Sequence, residues 1–304
     1  MGGYNIDTNI LVAITAGLGG MVLWGLADFF VKKIVSEVND AIVLFWTQTI
    51  GIIPLFLYLL ITRDSLTIQF SSQSLITLLI LGFFDTGGYL FFYKALEKGK
   101  LSIISPLVVS YSAFTVLISA LVFGESISLL QGTGLAAVFF GILAVILSGE
   151  PEKQTAKKMY VRGLPQALIA VLLLSLWFPF WDNFVSQNIN HWALLLLGLR
   201  VVVSFIMWIY FLTTRNSIFP KTKMSSLSAW GWLIAIAIFD IGAYIAVTWG
   251  FRITAYTSIV AMLSAAMSVP SVILGVIFLH EKLIRRQIAG IIMIIGGVVL
   301  LAGI

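Results

Sequence analysis

The chain has 304 residues, 60% of them apolar and only 10% charged, with a mean hydropathy of +1.06. That balance excludes a soluble globular domain and leaves an integral membrane protein. The net charge of +5 and the sequence pI of 9.4 do not imply nucleic acid, because the Lys and Arg lie in short connections where they meet lipid headgroups.

Apolar stretches of about twenty residues recur along the chain, each long enough to cross a hydrocarbon core about 30 Å thick. Ten are predicted: 10–31, 41–61, 74–96, 101–123, 129–148, 164–186, 192–213, 228–250, 256–279 and 286–303. They are continuously apolar, so they read as helices and not as the alternating strands of a barrel. The first has no basic segment before it and carries Asp28 near its end, which argues against a cleavable signal. No cysteine is present, which removes disulfides and thiolate metal sites.

Taken in order, the first span carries Trp24 and Asp28, the second Gln48 and Pro54, and the third Asp85 and Tyr89. The fourth contains Pro106 and ends at Gly124-Glu125, and the fifth contains Gly132, Gly134 and Gly141. Residues 149–163 form the longest polar and basic connection, at the midpoint. The sixth span then carries Trp177, Pro179, Trp181 and Asp182, and the seventh Arg200. The eighth holds Asp240 and Tyr244, the ninth Pro270, and the tenth follows His280-Glu281-Lys282 with Gly290, Gly296 and Gly297.

The order contains a duplication. Phe84-Asp85-Thr86-Gly87-Gly88-Tyr89 returns as Phe239-Asp240-Ile241-Gly242-Ala243-Tyr244 at an offset of 155. Glu125, Gln131 and Gly141 match Glu281, Gln287 and Gly297 at 156. Leu23-Trp24 with Asp28 matches Leu176-Trp177 with Asp182 more loosely, one residue out of step. Five spans per half is an odd number, so the halves must run in opposite directions across the membrane. The expected fold is therefore all-α and integral to the membrane, with ten transmembrane helices as two inverted five-helix repeats. The predicted limits are 1–148 for the first repeat, 149–163 for a basic cytoplasmic linker, and 164–304 for the second repeat.

Fifteen of the eighteen basic residues fall on one side: Lys32, Lys33, Lys94, Lys98, Lys100, Lys153, Lys157, Lys158, Arg162, Arg215, Lys221, Lys223, Lys282, Arg285 and Arg286. Arg63 and Arg252 lie on the other, and Arg200 is intramembrane. The positive-inside rule makes the rich side cytoplasmic and puts both termini outside.

The paired junctions Phe123-Gly124-Glu125-Ser126 with Gln131, Gly134 and Gly141, and Leu279-His280-Glu281-Lys282 with Gln287, Gly290 and Gly297, resemble the drug/metabolite transporter superfamily, specifically its ten-helix EamA-type members. The resemblance covers nearly the whole chain. It implies a central cavity enclosed by the first four helices of each half, a buttressing fifth helix, export, and both termini in the cytoplasm, the reverse of the charge tally. It also implies the cell (inner) membrane of a prokaryote.

Asp85 and Asp240 sit near the middle of their spans, where a carboxylate is costly and usually marks a substrate or proton path. Tyr89 and Tyr244 follow at i+4 on the same faces. A structural hydrogen-bonded pair joining the halves is the plainer alternative. Asp28 and Asp182 lie nearer span ends, beside Trp24 and Trp177, whose rings suit an amine or act as interface anchors. Trp192, Trp208, Trp230 and Trp232 read as anchors. Arg200 can pair with an aspartate or bind a carboxylate through its planar fork, and its counterpart in the first half is near Gln48. Glu125 and Glu281 read as caps on helix N-termini, the glycines as close-packing surfaces, and Pro54, Pro106, Pro179 and Pro270 as kink points.

No HExxH, GxSxG, Walker A or EF-hand pattern occurs, and His191 and His280 are the only histidines. No enzyme activity, cofactor or metal site is expected. The expected function is secondary transport of a small polar metabolite, an amino acid or organic amine favoured, by alternating access with proton-coupled export. The expected partners are that substrate, membrane lipid and the proton, with no nucleic acid and the oligomeric state left open. The candidate substrate or proton-coupling residues are Asp85, Tyr89, Asp240, Tyr244, Trp24, Asp28, Trp177, Asp182 and Arg200. The alternatives are a lipid or lipid-linked-sugar translocator of the same fold and a non-transporting accessory protein.

Overall fold

The computed structural model describes residues 8–62, 72–124, 126–148, 150–151, 159–188, 191–220, 226–254 and 256–302. Six helices make up the first half: α1 (Thr8–Ile34), α2 (Asp40–Thr62), α3 (Ser72–Lys98), α4 (Leu101–Val109), α5 (Tyr111–Phe123) and α6 (Leu129–Ile146). The second half repeats them as α7 (Leu164–Ser186), α8 (Trp192–Thr214), α9 (Ser226–Ile253), α10 (Thr257–Ala265), α11 (Ser268–Phe278) and α12 (Arg285–Ala302). Nine described stretches have the length and hydropathy to cross a bilayer, and α12, at 18 residues, completes the expected ten. Between the halves, β1 (Glu150–Pro151) and β2 (Met159–Tyr160) form a short antiparallel pair inside the basic connection. Residues 149 and 152–158 of that connection, with Lys153, Lys157 and Lys158, lie outside the described residues, as do Arg63, Lys221, Lys223 and Glu125.

Two expected spans are each two helices. The fourth breaks at Ser110 between α4 and α5, and the ninth at Ala266–Met267 between α10 and α11. Pro270 lacks the N–H that would bond the Ala266 carbonyl, so the second break follows from the sequence. Pro106 stands a turn before the first break, whereas Pro54 and Pro179 lie within continuous helices.

The main helix pairings cross between the halves: α1 with α9, α3 with α7, α2 with α8, α4 with α11, and α6 with α12. Each pairing joins a helix to one from the other repeat, as two inverted copies interlocked about an axis in the membrane plane require. Outward faces carry large exposed apolar groups, such as Ile61, Phe83, Leu121 and Ile292, which is the surface that hydrocarbon covers. In lipid, helices associate by close packing and not by expulsion of water, which explains small residues at these contacts. A Cβ on Gly134 would stand 2.8 Å from the Gly297 carbonyl, and one on Gly141 2.8 Å from the Gly290 carbonyl, so these four glycines set the α6–α12 approach. Gly132 and Gly296 face open space instead and take no part in it. Gly87 and Gly242 receive leucine side chains (Leu173 and Leu23), and Gly88 receives the Leu174 side chain with the Leu174 backbone N 3.7 Å from where a Cβ would stand.

Gly124, after α5, and His280, after α11, hold the same left-handed backbone, φ 73° and 52°. They are one position in two copies, where glycine adopts the conformation freely and histidine does so at a cost.

Candidate functional site

Asp85 falls at the middle of α3 and Asp240 at the middle of α9, so both carboxylates sit near midplane depth. The apolar faces that hold α3 and α9 in the bundle turn these positions inward, and Asp85 is buried. Arg200, on α8, brings a cation to the same level and is buried as well. Its Nη2 donates to Asp240 Oδ2 at 2.6 Å, and its Nη1 donates to Gln48 Oε1 on α2. Its Nε has no partner among the described residues. Asp85 lies within electrostatic reach of both Arg200 and Asp240.

Arg200, Asp240 and Gln48 therefore meet from three helices with Asp85 in electrostatic reach on a fourth, and the four positions form two repeat-related pairs, Asp85 with Asp240 and Gln48 with Arg200. The symmetry of position is broken in charge: three ionisable groups carry two acids and one base. A buried guanidinium is tolerable only when its desolvation is offset by a counter-ion and hydrogen bonds, and here Asp240 and Gln48 provide them.

Aromatic groups line the same region. The Arg200 guanidinium lies 5.3 Å from the Tyr244 ring centroid, and Trp24 meets that ring edge-on at 5.2 Å. Tyr89 and Tyr244, the i+4 partners of the two aspartates, lie within interaction distance of one another across the repeats. Tyr111, at the start of α5, stacks on Phe178 of α7 at 4.2 Å. Tyr89, Tyr244, Trp24 and Asp240 are each only partly covered.

Asp28 stands apart from the Arg200 cluster. Its Oδ2 accepts from Ser105 Oγ on α4 at 2.7 Å and from Ser271 Oγ on α11 at 3.2 Å. It remains within electrostatic reach of Asp240. Asp182 is exposed near the end of α7. Trp177 is sealed in the core, stacked on Trp181 at 5.3 Å with Phe178 edge-on at 4.7 Å. The loose, one-residue-shifted match between α1 and α7 explains the difference, since a single step rotates a helical residue by about 100°. Trp192 is also buried, against Tyr58, and is not an interface anchor, whereas Trp208 is exposed.

Gln48, Tyr111, Ser105 and Ser271 complete the arrangement and were not among the candidate site residues. Gln48 carried a signal, as the amide at the position matching Arg200. The serines carried none, because serine is common in packed membrane helices. Glu281 caps a helix N-terminus, as its position suggested, but the helix belongs to the other repeat. Its carboxylate accepts from Leu101 N at 2.7 Å, Ser102 N at 2.8 Å and Ser102 Oγ at 2.6 Å at the head of α4.

Comparison with known proteins agrees with this architecture. The sequence pattern of the EamA-like transporter family matches the chain twice, over residues 11–147 and 161–303. An uncharacterized transporter of Archaeoglobus fulgidus is 26% identical over 298 residues, covering 96% of this chain and 97% of that protein. An uncharacterized protein of Methanocaldococcus jannaschii is 34% identical over 137 residues, which are 45% of this chain and 97% of that protein. A solved crystal structure shares the fold with a TM-score of 0.62 at 18% identity, over 95% of both chains. With two repeats, ten apolar helices and a polar cluster at mid-depth, the chain is an integral membrane protein that belongs to the EamA-like transporter family, within the drug/metabolite transporter superfamily.

Proposed function

We propose that the protein is a secondary transporter for a small zwitterion or amine of the amino-acid class, moved by alternating access and coupled to protons. One observation carries this reading: Arg200, Asp240, Gln48 and Asp85 converge near midplane from α8, α9, α2 and α3, bordered by Trp24, Tyr89 and Tyr244. Membrane interiors keep such groups at substrate and ion paths.

The chemistry assigns roles. The guanidinium of Arg200 has an unmet Nε–H donor and can take a substrate carboxylate by its fork, in competition with Asp240. Asp85 and the faces of Trp24 and Tyr244 suit an ammonium. An ammonium arriving beside Asp85 would favour the ionised carboxylate and displace a proton from it, which is how substrate binding and proton release become linked at one site. Export, the prokaryotic cell membrane and termini on the outer face belong to the same reading. So do the candidate roles of the nine residues and the division at 149–163.

The test is proton release when amino acids and amines are added to the purified protein in detergent, with Asp85→Asn and Asp240→Asn alongside. Release that vanishes in one variant assigns the coupling carboxylate. No release and no thermal stabilisation by any zwitterion or amine would defeat the reading and favour a lipidic cargo.

A further inference from the structure

One face of the bundle is tied shut by polar side chains that reach between helices. The face is the one rich in Lys and Arg, where α1, α3 and α11 end and α4 begins. At its rim, Lys32 of α1 donates to the carbonyls of Leu96, at 2.5 Å, and Gly99, at 2.7 Å, gripping the end of α3. Glu281, from the loop after α11, grips the first two residues of α4. Lys100 returns the contact by donating to the Lys282 carbonyl at 2.8 Å. One turn inward, Asp28 draws Ser105 of α4 and Ser271 of α11 onto a single carboxylate oxygen. The hairpin between α3 and α4 is thus held by α1 on one side and by the second repeat on the other.

The duplication supplies an internal control. All nine residues of α4 are buried, whereas in its counterpart α10 the buried residues among those described are Val260 and Ser264. The position that answers to Lys32 is Ser186, which is exposed, and the one that answers to Ser105 is Ala261. Ser186 has no charge to cap a helix end, and Ala261 has no hydroxyl. Asp182, the counterpart of Asp28, is exposed. Among the described residues, the two copies therefore differ in how far this helix is buried, and they differ at the positions of Lys32 and Ser105; Glu125, the counterpart of Glu281, lies outside the described residues.

We infer that Asp28, Lys32 and Glu281 form a latch that holds the basic face closed, so that the interior cluster communicates with the opposite face until the latch is released. The two serines make Asp28 the joint of the latch, since it alone ties α1 to the fourth span of its own repeat and to the ninth span of the other. The inference relies on the transporter reading only for the use of the opening, and its test needs no cargo.

The natural absence of cysteine makes the test direct, because a single introduced thiol has no background. Val108 is buried on α4, one turn deeper than Ser105 on the same face. Val108→Cys in vesicles, with Lys98→Cys as a marker of the basic face, is treated with a membrane-impermeant maleimide from either side. In the otherwise unaltered chain, labelling from the basic face should be slow. Asp28→Asn, and separately Glu281→Gln, should speed it by about tenfold, the population change equivalent to about 1.4 kcal/mol of lost hydrogen bonding. The paired Ser105→Ala and Ser271→Ala change removes the hydroxyls and leaves the carboxylate, so it decides the matter if Asp28→Asn is not recovered folded. Labelling from the basic face that is equally fast with and without these changes would overturn the latch. A chain whose latch behaves as stated but which releases no protons with any zwitterion or amine would overturn the proposed cargo alone.

Discussion

The Arg200–Asp240 pair offers a sharp test of what the polar cluster does for the fold. At 2.6 Å, and with an effective dielectric constant near 20, the gross attraction is about 6 kcal/mol, most of it cancelled by desolvation of both ions. The partners differ in access: the Arg200 side chain is 5% exposed and that of Asp240 is 18%. Asp240→Asn takes from the buried cation its directly bonded counter-ion, leaving Gln48 as its hydrogen-bond partner and Asp85 within electrostatic reach, and should cost about 3–5 kcal/mol. Arg200→Gln leaves the less buried partner, the Asp240 carboxylate, and should cost about 1–3 kcal/mol. The double change removes both charges and should cost less than the sum by about 2 kcal/mol. The assay is equilibrium unfolding by SDS titration in mixed micelles, run as a complete cycle. Additive losses, or a larger loss for Arg200→Gln than for Asp240→Asn, would refute the claim that burial makes the cation the dependent partner.

Three further outcomes follow from the packing. Ala at Gly134, Gly141, Gly290 or Gly297 forces α6 and α12 apart and should cost about 1–3 kcal/mol each in the same unfolding assay. Ala at Gly132 or Gly296, on the same helices but with open space beside them, should change stability by less than about 0.5 kcal/mol. His280→Gly relieves a left-handed backbone and should stabilise the protein by about 1 kcal/mol, whereas Gly124→His should cost a comparable amount. Gln48→Leu removes one acceptor from the buried guanidinium and should destabilise by about 1–3 kcal/mol, with Gln48→Glu less disruptive because it keeps an acceptor.

Much of the architecture is carried by composition and register. Apolar length alone fixes ten spans, because a bilayer admits no other way to satisfy the backbone, and the offset of about 155 residues fixes two inverted copies. Asp85, Asp240 and Arg200 stand out from the sequence for the same reason, each being a charge where hydrocarbon makes charge expensive. What the sequence does not contain is which of these groups touch. The pairing of Arg200 with Asp240 and Gln48 depends on how α8, α9 and α2 are rotated against one another, and rotation is set by side-chain packing across the repeats. Asp28 and Asp182 look equivalent by spacing, yet one is bound by two serines and the other is exposed. Glu281 reads as a local cap and caps a helix some 180 residues away in the chain. Hydrophobicity and repetition are properties of a residue and its position along the chain, so they survive in a linear string. A hydrogen bond between repeats is a property of two distant positions at once, and only the folded bundle decides it.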